Sequence, residues 1–169
     1  MRILSKGGIG VKALIVDDDR FVWMGLKNLI PWSDMNFNEV LWADNGETAY
    51  DIVMKTYPDL IITDVRMPVM NGIELCKKIY ESNIIDIYII MLSAYDEFEF
   101  ARAAISYNVK DYILKPLDDS SITKLTEKIQ VITNDLKNKN YYRNIRYNTE
   151  LKSSYLAPYW VWRKTYNML

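Results

Sequence analysis

From Val11 onward, short runs of nearly continuous apolar residues alternate with amphipathic stretches. The runs are VKALIV (11–16), EVLWA (39–43), LIIT (60–63), IYIIML (87–92) and DYIL (111–114). Between and after them lie five stretches with helical periodicity. RFVWMGLKNLI (20–30) repeats apolar residues at Phe21, Met24, Leu26, Leu29 and Ile30. ETAYDIVMK (47–55) puts Ala49, Ile52 and Val53 on one side. IELCKKIY (73–80), EFEFARAAISY (97–107) and SSITKLTEKIQVITNDL (120–136) complete five repeats of strand then helix. Strands that are apolar on both faces belong to a parallel sheet covered on both sides. Right-handed crossovers then make it a doubly wound α/β sheet, with strand order 2-1-3-4-5 as the natural candidate. Asp19 reads as the N-cap of the first helix, and the pairs Asn45-Gly46 and Asn71-Gly72 read as turns.

This topology gathers residues that are far apart in the chain. Parallel strands place their C-terminal ends on one edge, where ligands of such sheets bind. Strand 1 runs into Asp17 and Asp18, strand 3 into Asp64, strand 4 into Ser93 and strand 5 into Lys115. Crowded carboxylates repel unless a cation joins them. Oxygen donors without nitrogen or sulfur favour Mg²⁺. An ammonium and a hydroxyl beside them suit the anionic oxygens of a transferring phosphoryl group. The nucleophile would be an aspartate, giving an aspartyl phosphate.

Composition narrows the chemistry further. The 169 residues include no histidine, which removes Ser-His-Asp triads, Cys-His pairs and histidine metal sites together. It also means that any phosphoryl donor is external. Cys76 is the single cysteine, so no intramolecular disulfide framework exists and a reducing cytoplasm suits the chain. Cys76 falls mid-helix and reads as core or inert surface. The net charge of −1 argues neither for nor against nucleic acid. No apolar run approaches the ~20 residues needed to span a bilayer.

The segments LIVDDD, IITDVRMPVMNG, MLSA and DYILKP, in this order, resemble the receiver domain of two-component response regulators, the CheY-like or flavodoxin-like fold. GLKNLIPW and YDEFEFARAAI resemble more specifically receivers that precede an AraC-type DNA-binding domain. The resemblance implies that Asp64 is the phosphoacceptor. It implies that Asp17, Asp18, Asp64 and the backbone carbonyl of Arg66 hold Mg²⁺. Lys115 would contact the acyl phosphate, with a cis bond to Pro116. Ser93 would be the switch hydroxyl and Tyr112 the aromatic rotamer switch. A sensor histidine kinase is the implied donor, and the chain would be a switch rather than an enzyme with metabolic turnover. Arg66 and Tyr95 lie two residues after Asp64 and Ser93. Both are large, so they should shield the acyl phosphate from water and slow its hydrolysis. Another Mg²⁺-dependent class forming aspartyl phosphates, the haloacid-dehalogenase phosphatases, carries Asp-x-Asp-x-Thr/Val after strand 1. Here Phe21 stands where Thr or Val belongs, and Asp64 would have no role.

The expected organisation has three parts. Residues 1–10 form a leader or flexible arm, with Val11 as a candidate true initiator. The receiver occupies 11–138. Residues 139–169 form a basic, aromatic tail, read as a linker too short for two helix-turn-helix units. The chain by itself is therefore expected to bind neither DNA nor membrane. Its output is transcriptional control through a domain beyond it; a stand-alone relay receiver is the alternative. The last helix is expected to persist to about Tyr142. Along it Ile122, Leu125, Ile129, Ile132 and Leu136 form a heptad-like stripe. Its first part should pack on the sheet, and the part beyond Ile132 should be open to a partner. Phosphorylation should promote a homodimer through the face formed by the 97–107 helix, strand 5 and the last helix.

Overall fold

The computed structural model describes residues 11–84, 87–94, 107 and 109–155, the last sixteen by their backbone alone. In chain order the elements are β1 (Val11–Val16), α1 (Arg20–Leu29), β2 (Phe37–Ala43), α2 (Gly46–Thr56), β3 (Leu60–Asp64), α3 (Gly72–Glu81), β4 (Tyr88–Ser93), β5 (Asp111–Leu114) and α4 (Asp119–Tyr155). The five strands form one sheet in the order β2-β1-β3-β4-β5, and every neighbouring pair is parallel. The predicted 97–107 helix and Tyr95 lie outside the described residues, apart from Tyr107. Two compact units are distinguished, one ending at Gln130 and the other beginning at Val131.

β3 and β4 are buried along their whole length and β1 at every position but Lys12, as both-sided apolar runs require. Leu14, Val16, Ile61, Val65, Ile89 and Met91 join Ala49 and Val53 of α2 and Leu75, Cys76 and Ile79 of α3 in one cluster. Cys76 is thus core, and burial pushes its thiol up to about 12. At the opposite end of the sheet from the acids, buried Asp59 levels the strands. Its carboxylate accepts the Lys12 amide at 2.9 Å, its own amide donates to the Lys12 carbonyl at 2.9 Å, and its carbonyl accepts the Tyr88 amide at 2.9 Å.

Several sequence readings change in the folded chain. Both Asn-Gly pairs start helices instead of forming turns. Asn45 accepts the Glu47 and Thr48 amides, and Asn71 accepts those of Ile73 and Glu74 while Glu74 reaches back to the Asn71 amide. These contacts satisfy the free amides of a first turn, a need that sequence pattern does not distinguish from a turn. The glycines are needed because a side chain has no room. A Cβ at Gly46 would lie 2.6 Å from the Met70 carbonyl oxygen, and one at Gly72 would lie 2.1 Å from that of Asp64.

The apolar stripe of α1 is split. Leu26 and Ile30 are buried, and the indole N–H of Trp32 caps the Leu26 carbonyl at 3.1 Å. Phe21 is 84% exposed and Leu29 63% exposed. The last helix does not stop near Tyr142 but continues to Tyr155. Lys139 and Arg143 end its apolar stripe, yet neither breaks a helix, since lysine and arginine are good helix formers. Leu125 and Ile129 are fully buried, Ile132 is buried, and Leu136, expected to lie open, is buried too.

Candidate functional site

Register brings the acids together. Val16 of β1 stands beside Thr63 of β3, so the chain positions that follow, Asp17 and Asp64, emerge side by side from the sheet edge. Asp64 pairs in register with Leu92, and Ser93 pairs with Leu114, which places Ser93 and Lys115 on the same edge. The carboxylates of Asp17, Asp18 and Asp64 each offer an oxygen within 4.8 Å of the others. Asp17 is 1% exposed and Asp64 is buried, whereas Asp18 faces solvent.

Lys115 bridges two of these acids. Its Nζ lies 2.8 Å from Asp17 Oδ2 and 3.0 Å from Asp64 Oδ1. The Lys115–Pro116 peptide is cis, and the Lys115 amide donates to the Ser93 carbonyl at 2.6 Å. Burial of Asp17 raises its carboxyl above the ordinary value, and the Lys115 hydrogen bond only partly offsets this. For Lys115, burial alone would lower the ammonium; its bonds and charge attraction to Asp17 and Asp64 outweigh that, and the net direction is up. An ion pair ordinarily lowers its acid. Here the acid rises because desolvation of an almost fully buried carboxylate exceeds what one shared ammonium returns.

The loop that follows Asp64 is fixed at both ends. The Val65 amide donates to Leu92, the Gly72 amide to the Val65 carbonyl, and the Gly46 amide to the Met70 carbonyl. Arg66 is exposed in this loop, two residues past Asp64. Asp19 caps α1, accepting the Phe21 amide at 2.8 Å, and takes no place in the acidic cluster. Ser93 is buried. Tyr112 is half-buried against the core cluster, as are Tyr107 and Val109.

Two contacts carry no sequence signal. The Trp42 indole N–H donates to the Asp17 carbonyl at 3.1 Å, across 25 residues, from the end of the edge strand β2. Gly46, an ordinary helix-start glycine by sequence, ties α2 to the Asp64 loop.

A doubly wound parallel sheet with an aspartate cluster and a cis lysine-proline peptide at its C-terminal edge defines a response-regulator receiver. The model of the response regulator receiver domain matches residues 13–127, and the chain belongs to that family. Such domains are signalling switches of two-component systems, not metabolic enzymes. Among curated relatives, the transcriptional regulatory protein HptR of Staphylococcus aureus is 41% identical over 111 residues, covering 66% of this chain and 43% of that protein. An uncharacterized response regulatory protein of Staphylococcus epidermidis is 40% identical over 116 residues, covering 69% of this chain and 45% of the relative. The chain thus spans less than half the length of these relatives. Among solved structures, the receiver domain of AraT, a response regulator from Geobacillus stearothermophilus, aligns with a TM-score of 0.70 and 31% identity over 78% of this chain and 99% of that one. A two-component transcriptional regulator AraC from Clostridium phytofermentans aligns at 0.63 and 32% identity, over 76% and 98%. Among the described residues, no helix is long and apolar enough to cross a membrane.

Proposed function

We propose that the chain takes a phosphoryl group onto Asp64 from a partner histidine kinase, in a Mg²⁺-dependent reaction, and thereby switches the output of a transcription regulator. The observation that carries this reading is the single ammonium of Lys115, shared between Asp17 and Asp64 inside a cluster of three carboxylates. The all-oxygen donor set fits a hard cation. Asp17, Asp18 and Asp64, with the Arg66 backbone carbonyl, would hold Mg²⁺. Bound there, it supplies positive charge against the anionic phosphoryl oxygens.

The transfer is a displacement at phosphorus. A carboxylate oxygen of Asp64 attacks, a P–O bond forms, and the P–N bond to the donor imidazole breaks with its electron pair on nitrogen. Lys115 sits beside the charge that develops, already held at the Asp64 oxygen. The Ser93 hydroxyl is assigned the hydrogen bond to the new phosphoryl group and Tyr112 the coupled ring movement, a shift between two packings. Arg66 and Tyr95 are assigned to shielding the acyl phosphate.

We assign docking of the kinase to the face beside Lys115 and Pro116. Beside Lys115 and Pro116 lies an apolar groove of about 380 Å³, lined by Phe21, Gly25, Leu29, Leu117 and Ile122. The exposed Phe21 and Leu29 form its rim. An AraC-type output is supported by the names of the AraT and AraC relatives. We assign 11–138 to the receiver and the residues from 139 on to a linker toward that output. Cytoplasmic action, and a homodimer formed on phosphorylation, belong to the same reading.

The test is intact-mass analysis after incubation with Mg²⁺ and a small acyl phosphate. The protein gains one phosphoryl group, Asp64→Asn gains none, and EDTA abolishes the gain. Unchanged labelling of Asp64→Asn overturns the assignment.

A further inference from the structure

We infer that Trp42 is a positioning residue of the acidic site: its indole N–H holds the peptide between Asp17 and Asp18 in the orientation that presents both carboxylates to a cation. The inference rests on the Mg²⁺ reading above and concerns how the site is preorganised.

Asp17 is held at every polar atom. Its amide donates to the Ala43 carbonyl at 3.1 Å, and its Oδ1 accepts the Asp19 amide at 2.9 Å. Its Oδ2 accepts Lys115 at 2.8 Å. Its carbonyl, which belongs to the peptide leading into Asp18, accepts Trp42 Nε1 at 3.1 Å. Rotation of that peptide would carry Asp18 away from the other acids. Asp18 is exposed, so packing does little to restrain it. The hydrogen bond from Trp42 is therefore the restraint that reaches the second acid.

The indole is itself braced. Its ring lies 5.4 Å from that of Trp23, tilted by 35°, and Lys27 Nζ stands 4.9 Å from the Trp23 centroid. Trp23 belongs to α1, the helix that the acidic loop enters. Trp42 thus reaches from the edge strand to both the loop and the helix after it. Trp23 holds its half of the stack with its own indole N–H buried and without a hydrogen-bond partner among the described residues. Packing alone accounts for the stacked rings. It does not account for the Trp42 N–H being aimed at the one carbonyl that joins two acids. Groups that orient the ligands of a metal from behind govern its affinity.

The experiment is a Mg²⁺ titration of the whole chain followed by amide chemical shifts, with urea unfolding in EDTA alongside. Trp42→Phe keeps an aromatic ring and removes the N–H. Trp42→3-benzothienylalanine keeps the whole bicyclic shape and replaces the N–H by sulfur. Both should raise the Kd for Mg²⁺ about fivefold, equivalent to about 1 kcal/mol. The benzothienyl protein should unfold in EDTA at nearly the parent urea concentration, because its packing is intact. Unchanged Kd in both variants overturns the inference. So does a rise in Trp42→Phe alone, which would assign the effect to ring packing. A parent protein that binds no Mg²⁺ overturns the underlying reading of the acidic site instead, a result distinct from parent binding with unaffected variants.

Discussion

Lys115 is the shared cation of a crowded acidic site, and removing it tests the electrostatics directly. In Lys115→Met the side chain keeps all but the last atom of its length and loses its charge. At 2.8 and 3.0 Å, and with an effective dielectric of ~20, each lost attraction is about 6 kcal/mol. The burial of the charges opposes this, and breaking a buried pair by removing one partner typically costs 3–5 kcal/mol. The expected loss at pH 7 in EDTA is at the low end of that range, about 3 kcal/mol. The sign of the pH dependence follows from Asp17. Its folded carboxyl already titrates above the ordinary 3.8. Between that value and the raised one, the folded protein holds a proton that the unfolded chain has released, so stability falls as pH rises through the window. Without Lys115 the window extends upward. The variant should lie closer to the parent at pH 5 than at pH 7. Mg²⁺ should narrow the gap at pH 7, because it supplies the missing charge and stabilises the fold by binding. Urea unfolding at both pH values, with EDTA and with Mg²⁺, measures each difference. Equal stability at pH 7, or a loss of the same size at pH 5, would refute the reasoning.

Gly72→Ala places a methyl 2.1 Å from the Asp64 carbonyl oxygen and 3.0 Å from Thr63 Oγ1. Backbone cannot rotate away, so a loss of about 3 kcal/mol or more is expected in urea unfolding; a change below ~1 kcal/mol would contradict the close approach. Val69 is a β-branched residue at φ 68° and 77% exposed. Val69→Asn relieves the steric conflict of that φ, without the added unfolded-state freedom of glycine, and should stabilise by about 1 kcal/mol; thermal melts check this, and a lower Tm would count against the strain. Trp32→Phe loses the hydrogen bond to the Leu26 carbonyl and trims the edge-on contact with Phe37 at 5.2 Å. It should cost about 1–2 kcal/mol in the same melts, and no loss would show that the α1 terminus does not depend on that cap.

The α/β class and the strand order were legible because each central strand is apolar on both faces and each repeat is short enough to require a helical crossover. The gathering of Asp17, Asp18, Asp64, Ser93 and Lys115 on one edge followed from the same topology. Strand pairing supplies it without any knowledge of side-chain packing. The N-cap role of Asp19 was readable because capping is local, confined to amides two or three residues away.

What depended on distance was not legible. Phe21 and Leu29 share the period of Leu26 and Ile30, yet the first two face outward and only the second two are buried. Periodicity defines a stripe but not how far the neighbouring elements extend to cover it. Asn71 opens α3 with a capping box instead of closing a turn, and its glycine is required by a carbonyl eight residues back in the chain. The path of α4 to Tyr155 is not legible in the pattern, because the end of an apolar stripe is not the end of a helix. Helical backbone can persist where no glycine or proline interrupts it, as in residues 120–155. The bond from Trp42 to the Asp17 carbonyl joins chain positions 25 residues apart. Sequence alone determined which residues meet at the sheet edge, since strand order and polarity decide that. Only the tertiary structure decided which of them are buried, which two acids the Lys115 ammonium bridges and which indole holds them in place, because those depend on burial and on hydrogen bonds between elements that no local pattern encodes.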